Sequence, residues 1–323
     1  MGAAAFPNAV AAGWPPLGGE DIHVEMVCGI VRGHFWQAPN STEPPVIICP
    51  GFTEFCEKYS MVAERLVGNG HDVLIIDWPG QGRSGHLGEH QLAVHSDGFD
   101  LHLDAAEALI REAGIEDEAS FILGHSMGGH LALRLAARRQ AQTLGAIIMS
   151  PMIAPPVMPV WGVRLLAWGV VMAGLGRRHA PGRGASSLAE ERVFHQRNGL
   201  TRVQEGYEKP FYWFDDAPEL RRSGPTAGWV RAAYASCAET TLDAGWMRRL
   251  TVPVLALVAG DEWIVHKPSI DRMLRFLPRC QRFSYAGARH ELFHETEEVT
   301  DDLWERIEAF VRSWRPDAGG ETN

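Results

Sequence analysis

The sequence predicts an α/β protein, with a mostly parallel sheet, helices on both faces and an inserted helical cap. Three observations carry this. Short strand-like runs, Val46–Cys49, Asp72–Asp77, Phe121–Leu123 and Thr143–Met149, alternate with helix-length segments. Strands and helices alternating at that length specify right-handed crossovers and a parallel sheet covered on both sides. The alternation stops after Pro151 and resumes at Val252–Val258, so the stretch between them reads as an insertion. Ala119–Leu133 reads as strand, sharp turn and helix within fifteen residues, and the rest of the sheet is organised around it.

Taken in order, Met1–Glu20 is rich in Ala, Gly and Pro and lacks Lys and Arg. A secretory leader wants a basic start and an unbroken apolar run, so this stretch reads as a mobile arm. His23–Ile30 and Val31–Gln37 read as an antiparallel hairpin joined near Gly29–Gly33, at a sheet edge. Val46–Cys49 reads as a buried strand, followed by a loop Pro50–Glu54 and a helix over Tyr59–Gly68 whose Met61, Val62, Leu66 and Val67 share one face. Asp72–Asp77 is the next strand, Phe99–Ala113 the next helix, and Thr143–Met149 the strand after the central turn. Val252–Val258 and Gln281–Tyr285 complete the sheet, and Thr300–Trp314 closes the chain as an amphipathic helix. The expected units are the sheet domain over 21–151 and 246–315, the cap over 152–245, and a flexible tail over 316–323.

Composition narrows the function. The chain has 323 residues, 46% hydrophobic, with 11 Trp and 13 Phe, enough for a large core. With 30 Lys and Arg against 40 Asp and Glu, the net charge is −10, a poor basis for nucleic-acid binding. The five cysteines, Cys28, Cys49, Cys56, Cys237 and Cys280, are scattered. They show neither paired nor zinc-type spacing, so free thiols in a reducing compartment are expected. No cofactor or metal is expected. A packing role is favoured for Cys56, although it lies near a candidate site loop.

The chemistry centres on Gly124-His125-Ser126-Met127-Gly128, a G-x-S-x-G pattern between strand and helix. A serine held in so sharp a turn crowds the residues two before and two after it, and glycine relieves the contact. A serine hydroxyl needs a base to take its proton. Among 14 histidines, His290 follows the last strand in the loop Ala286–Glu291, the position this strand order requires. His294 reads as a surface or supporting residue, and His125 should point away from the hydroxyl. The acid that orients the imidazole should follow Val252–Val258, where Asp261 and Glu262 are adjacent. Glu262 stands just before Trp263-Ile264-Val265 and is favoured, with Asp261 the alternate. The order serine, acid, histidine is far more specific than any single motif. A developing oxyanion needs two preorganised N–H donors. The backbone of Met127 and of Phe52, after Pro50-Gly51, are the candidates.

These residues carry a family resemblance. The sequence resembles the α/β-hydrolase family, and within it the bacterial lysophospholipase and monoacylglycerol lipase group. The matching pieces are Gly124–Gly129, Asp77–Ser84, Gly51–Glu54 and Gly287–Glu291, with Thr53-Glu54…Lys58-Tyr59 and His290-Glu291 the narrower signals. Two departures stand out: Pro50 occupies the usual histidine position before Gly51, and Glu262 the usual aspartate position. The resemblance implies a serine hydrolase that cleaves a lipid ester, a lysophospholipid or monoacylglycerol, through an acyl-enzyme. A carboxylesterase, thioesterase or acyltransferase of smaller esters is the alternative, and a non-catalytic binding module that kept the fold is the alternative of another class.

In the cap, Pro159–Met172 is the most apolar stretch. It reads as a helix buried on the sheet domain or, functionally, as one whose exposed face lines an acyl channel or docks on lipid. Arg177, Arg178 and Arg183 follow it and would suit anionic headgroups. Phe211–Phe214 reads as cap core in preference to a substrate-lining aromatic cluster. A cytoplasmic protein with peripheral membrane contact through the cap is the expected setting. The oligomeric state is open.

Overall fold

The computed structural model describes residues 15–181 and 187–316. Eight strands form one sheet in the order β1-β2-β4-β3-β5-β6-β7-β8. They are β1 (Glu20–Met26), β2 (Gly29–Trp36), β3 (Glu43–Cys49), β4 (His71–Ile76), β5 (Ser120–His125), β6 (Thr143–Met149), β7 (Val254–Ala259) and β8 (Cys280–Tyr285). The β1–β2 and β2–β4 pairs are antiparallel and every later pair is parallel. The parallel strands are buried on both faces, which is why β4, β5 and β7 read as continuous runs rather than alternating ones.

Alternate side chains of each strand separate two cores. Ile48, Val73, Ile75, Leu123 and Ile147 meet α1 (Ser60–Gly68) and the closing helix α10 (Glu297–Trp314) on one face. Ile47, Leu74, Ile76, Ile122 and Ile148 meet α2 (Asp100–Glu112), α3 (Met127–Arg138) and α9 (Lys267–Met273) on the other. The loops after the parallel strands, where ligands of such sheets bind, border the inserted segment.

That segment holds α4 (Val160–Val170), α5 (Leu188–Glu191), α6 (Gln204–Asp216), α7 (Ala227–Glu239) and α8 (Ala244–Arg249), and among its described residues no strand. Two isolated bridges, Val94 to Pro225 and His179 to Thr226, stitch it together and to the sheet domain. Arg222 fastens it further, donating to the carbonyls of Gly80 at 3.1 Å and Gly82 at 3.0 Å.

Three local expectations change. The hairpin turns at Val27-Cys28, not over Gly29–Gly33, because Gly29 takes the positive φ and opens β2. Gly33 is a strand residue opposite Ile22, and a Cβ there would meet Leu109 at 3.0 Å, so its glycine serves packing against α2. The closing helix begins at Glu297, one turn earlier than expected. The chain before the sheet reaches its surface: the Gly18 carbonyl lies 2.6 Å from His34 Nε2, and Leu17 packs on the core. Residues 1–14 of the expected arm, Arg183 and the tail from 317 lie outside the described residues. Among the described residues no helix is long and apolar enough to cross a membrane.

Candidate active site

The turn after β5 holds Ser126 at φ 54° and ψ −118°, a conformation that costs a non-glycine residue energy and is held only where its surroundings over-determine it. The surroundings do so. The Ser126 N–H donates to the Met149 carbonyl at 2.9 Å, and its own carbonyl accepts from Met152 at 2.9 Å and His130 at 3.2 Å. The flanking glycines are steric requirements. A Cβ on Gly124 would sit 2.3 Å from the Gly128 carbonyl, and one on Gly128 would sit 1.8 Å from the carbonyl of Cys49. The second contact shows how closely α3 approaches the end of β3, and so how closely the serine approaches the Pro50–Glu54 loop.

On the far side of the sheet rim, His290 Nδ1 lies 2.8 Å from Glu262 Oε2. The other Glu262 oxygen accepts the backbone N–H groups of Ile264 at 2.8 Å and Val265 at 3.2 Å. Burial pushes the Glu262 carboxyl up, but His290 and the two backbone donors outweigh it and hold the group below the usual range. An ionised carboxylate at Nδ1 leaves Nε2 as the free base, the tautomer that proton abstraction needs. Asp261 points elsewhere. Its side chain is 38% exposed, accepts from Trp263 Nε1 at 2.7 Å, and faces Arg289 at 3.7 Å. Of the two adjacent acids, only Glu262 meets the imidazole. Ser126 and His290 line one cavity of about 440 Å³.

Phe52 and Met127 stand at the same place from opposite sides. Phe52 borders that cavity and a second one of about 360 Å³, and Met127 borders the second, with Ser126 common to both. The loop before Phe52 has its carbonyls drawn away: Pro50 O accepts from Trp78 Nε1 at 2.8 Å and Gly51 O from Gln81 Nε2 at 3.0 Å. Trp78 and Gln81 belong to the Asp77–Ser84 loop, so that segment anchors the candidate oxyanion loop where the family's histidine is replaced by Pro50. The Phe52 ring packs tilted against Trp229 of α7, with centroids 4.5 Å apart, which adds an aromatic anchor from the cap side.

The two cavities differ in lining. The smaller runs under α4, among Val163, Leu166, Ala167 and Val170, and is walled by Met152, Trp229 and Tyr234. The larger is mixed, with Tyr207, Phe211 and Phe214 facing Glu191, Arg222 and Lys58. Phe211 and Phe214 were expected in the cap core. Phe214 does pack on Phe55, at 5.4 Å, yet both rings also line the cavity, because α6 presents one face to the site. The expectation for α4 divides the same way. One face lines the small cavity, while Trp161, Leu165 and Trp168 on the rest of the helix are exposed at 72%, 62% and 54%.

Other expectations resolve locally. His125 turns away toward Glu54, at 3.0 Å. His294 is not at the surface: its Nδ1 lies 2.8 Å from Glu291 Oε2 within a buried cluster. Cys56 is buried, and burial together with Asp77 pushes its thiol well above the ordinary range, which suits packing rather than reactivity. Arg177 and Arg178 reach Asp97 and Glu89 on the neighbouring loop. Glu54, Lys58 and Glu291 carried a family signal in the sequence but no assigned role, and the structure brings them together. The spacing of Glu54 and Lys58 is i,i+4, a pattern that an exposed helix shows as readily. Among the described residues no cluster of three His, Cys, Asp or Glu side chains could hold a metal ion.

Comparison with known proteins places this architecture. The family described as serine aminopeptidase, S33 matches residues 40–297. The chain is 30% identical over 261 residues to lysophospholipase L2 of Escherichia coli K12, covering 77% of this chain and 75% of that one. It is 23% identical over 269 residues to phospholipase YtpA of Bacillus subtilis, covering 82% and 94%. Among solved structures, a soluble variant of monoglyceride lipase from Saccharomyces cerevisiae superposes with a TM-score of 0.70 at 18% identity, covering 91% of this chain and 96% of that one. That likeness speaks to the fold. With the family match spanning most of the chain and the sheet order, elbow and cap agreeing with it, the protein belongs to the serine aminopeptidase S33 family of α/β hydrolases, a family of serine hydrolases.

Proposed function

We propose that the protein hydrolyses the carboxylic ester of a single-chain lipid, a lysophospholipid or a monoacylglycerol, through an acyl-enzyme. The observation that carries this reading is the meeting of two unlike cavities at Ser126. An apolar pocket of about 360 Å³ suits one acyl chain, and a mixed pocket of about 440 Å³ suits a polar alcohol leaving group. The related lysophospholipase and phospholipase support the same substrate class.

In this reading His290 Nε2 takes the Ser126 proton as the hydroxyl oxygen attacks the ester carbonyl carbon. The carbonyl oxygen becomes an oxyanion held by the N–H groups of Phe52 and Met127, each worth about 3 kcal/mol of barrier. Collapse breaks the bond to the alcohol oxygen, which leaves with the proton from His290. Water then repeats the sequence on the acyl-enzyme and releases the fatty acid. Glu262 holds the imidazole in the required tautomer and stabilises its charged form. The exposed apolar face of α4 rests on the lipid surface, so that a substrate enters the small cavity without crossing water.

A substrate panel tests the reading. Lysophospholipid and monoacylglycerol should be turned over at least about tenfold faster than a short p-nitrophenyl ester at equal concentration, since each buried methylene contributes about 0.8 kcal/mol. A preference for the short ester would replace the lipid reading with that of a small-ester carboxylesterase.

A further inference from the structure

Behind Ser126 lies a buried set of charges that the hydrolytic steps leave unused. Its centre is His125, buried directly beside the serine. The two ring nitrogens meet two groups that can only accept. Nδ1 is 3.0 Å from Glu54 Oε1, and Nε2 is 3.1 Å from the backbone carbonyl of His290. A carbonyl has no hydrogen to give. Glu54 Oε1 already accepts from Lys58 Nζ at 2.8 Å, and Oε2 lies 2.6 Å from the Tyr59 hydroxyl and accepts the Gly51 N–H. Any proton on Glu54 would therefore sit on Oε2 and leave Oε1 an acceptor. A neutral imidazole carries one N–H, so one of the two contacts would set lone pair against lone pair. Only the doubly protonated ring satisfies both.

We propose that His125 is a positioning residue held as an imidazolium, whose two hydrogen bonds clamp the Gly51–Phe52 loop to the His290 loop. One arm reaches Glu54, which grips the Gly51 N–H next to Phe52. The other holds the His290 main chain directly. The ring itself packs on the His290 ring with centroids 4.7 Å apart. The inference rests on the roles given above to Ser126, Phe52 and His290.

The surrounding charges balance it. Lys58 bridges Glu54 and Glu291, at 2.8 and 2.9 Å, and Glu291 also accepts from His294 Nδ1 at 2.8 Å. His125 and Lys58 face Glu54 and Glu291, two cations against two anions, as a buried ionic cluster requires. Burial alone would push His125 toward its neutral form, but Glu54 outweighs it and raises the group above its ordinary value. The clamp is therefore complete at pH below 6.5, the ordinary imidazole value, and is lost only as pH rises through the raised folded value. The other groups facing His125 do not share that transition. Lys58 and Tyr59 are pushed upward, Glu54 and Glu291 are held down by Lys58 against burial, and burial lowers His294.

The experiment uses ¹⁵N-labelled Ser126→Ala protein, with ring nitrogens read by long-range ¹H–¹⁵N correlation and the His125 signals assigned by loss in His125→Gln. At pH 6 both His125 nitrogens should be protonated, and one bare nitrogen in the folded protein at that pH would overturn the proposal. In the active enzyme, His125→Gln should lower kcat on a soluble p-nitrophenyl ester by roughly ten- to a hundredfold, change KM less than threefold, and slow fluorophosphonate labelling by the same factor as kcat. Turnover at the wild-type rate would overturn the clamp. Should His125→Gln not fold, the wild-type profile decides: kcat should decline with the midpoint at which the His125 ring loses its proton, and a kcat that passes that midpoint unchanged would refute the clamp. A protonated ring in a protein that never labels at Ser126 would sink the hydrolase reading and leave the charge assignment standing.

Discussion

The floor and the roof of the cavity are made of opposite materials. The floor is the carboxyl edge of the sheet, where Ser126, Glu262, His290 and Glu54 are buried and, with the partly buried Lys58, hydrogen-bonded to named partners. The roof is α4, whose Trp161, Leu165 and Trp168 stand in solvent and whose inner face meets an apolar pocket. Position is costly to hold, and the floor holds it with strained backbone, buried charges and steric closeness. Access needs apolar surface that can change partners, and the roof supplies that. The comparison predicts that floor substitutions act on the chemical step and roof substitutions on substrate delivery.

The sharpest break would come from Glu262→Gln. It keeps the shape but removes the charge that fixes the imidazole, and kcat should fall on the order of 10³–10⁴-fold with the fold intact. A loss below tenfold would move the acid elsewhere.

The floor should also carry the pH sensitivity of the fold. His102 is buried against Trp78 and Phe99, with ring centroids at 5.7 and 5.1 Å, and burial pushes it down to about 4. Its folded value is below the unfolded one. Its stabilising contribution is therefore present above pH 6.5 and lost as pH falls from 6.5 toward 4, by roughly 3 kcal/mol over that window. Urea unfolding of His102→Phe should lack that part of the decline. An unchanged slope would show that His102 binds its proton while folded.

On the roof, replacing Trp161, Leu165 and Trp168 together by Ser should lower turnover of vesicle-borne lipid at least about tenfold, since each large apolar side chain buried in lipid contributes about 1.5–3 kcal/mol. The short soluble ester should change less than about twofold. Equal losses on both would remove the distinction between roof and floor. The smallest effect belongs to Asp261→Asn, which should leave kcat within about threefold, since its carboxylate engages Trp263 and Arg289 rather than the imidazole. A loss matching that of Glu262→Gln would exchange the two acids.

The sheet was legible because its strands are apolar on both faces and its helices follow at fixed length. Errors arose where one residue type serves two ends. Gly33 looked like a turn glycine and is a packing glycine against Leu109. In the site, Ser126, Glu262 and His290 were readable because their order along the chain maps onto loops at one rim. The ruler of Ile264-Val265 has a physical counterpart: those two backbone N–H groups bind the Glu262 carboxylate. Glu54, Lys58 and Glu291 stood out by family resemblance, but their meeting in one ionic cluster was not legible. Its partners lie 233 residues apart, and charges at such separation look like solvated surface until the fold brings them inside. The apolar cap stretch could be read as either buried or exposed, and it is both, one face each.

The most direct test of the account is covalent labelling of the folded wild-type chain with a fluorophosphonate, followed by intact mass and peptide mapping. The account predicts one adduct per chain, on Ser126, lost in Ser126→Ala and strongly slowed in Glu262→Gln. No adduct on a folded protein, or an adduct that survives Ser126→Ala, would contradict it.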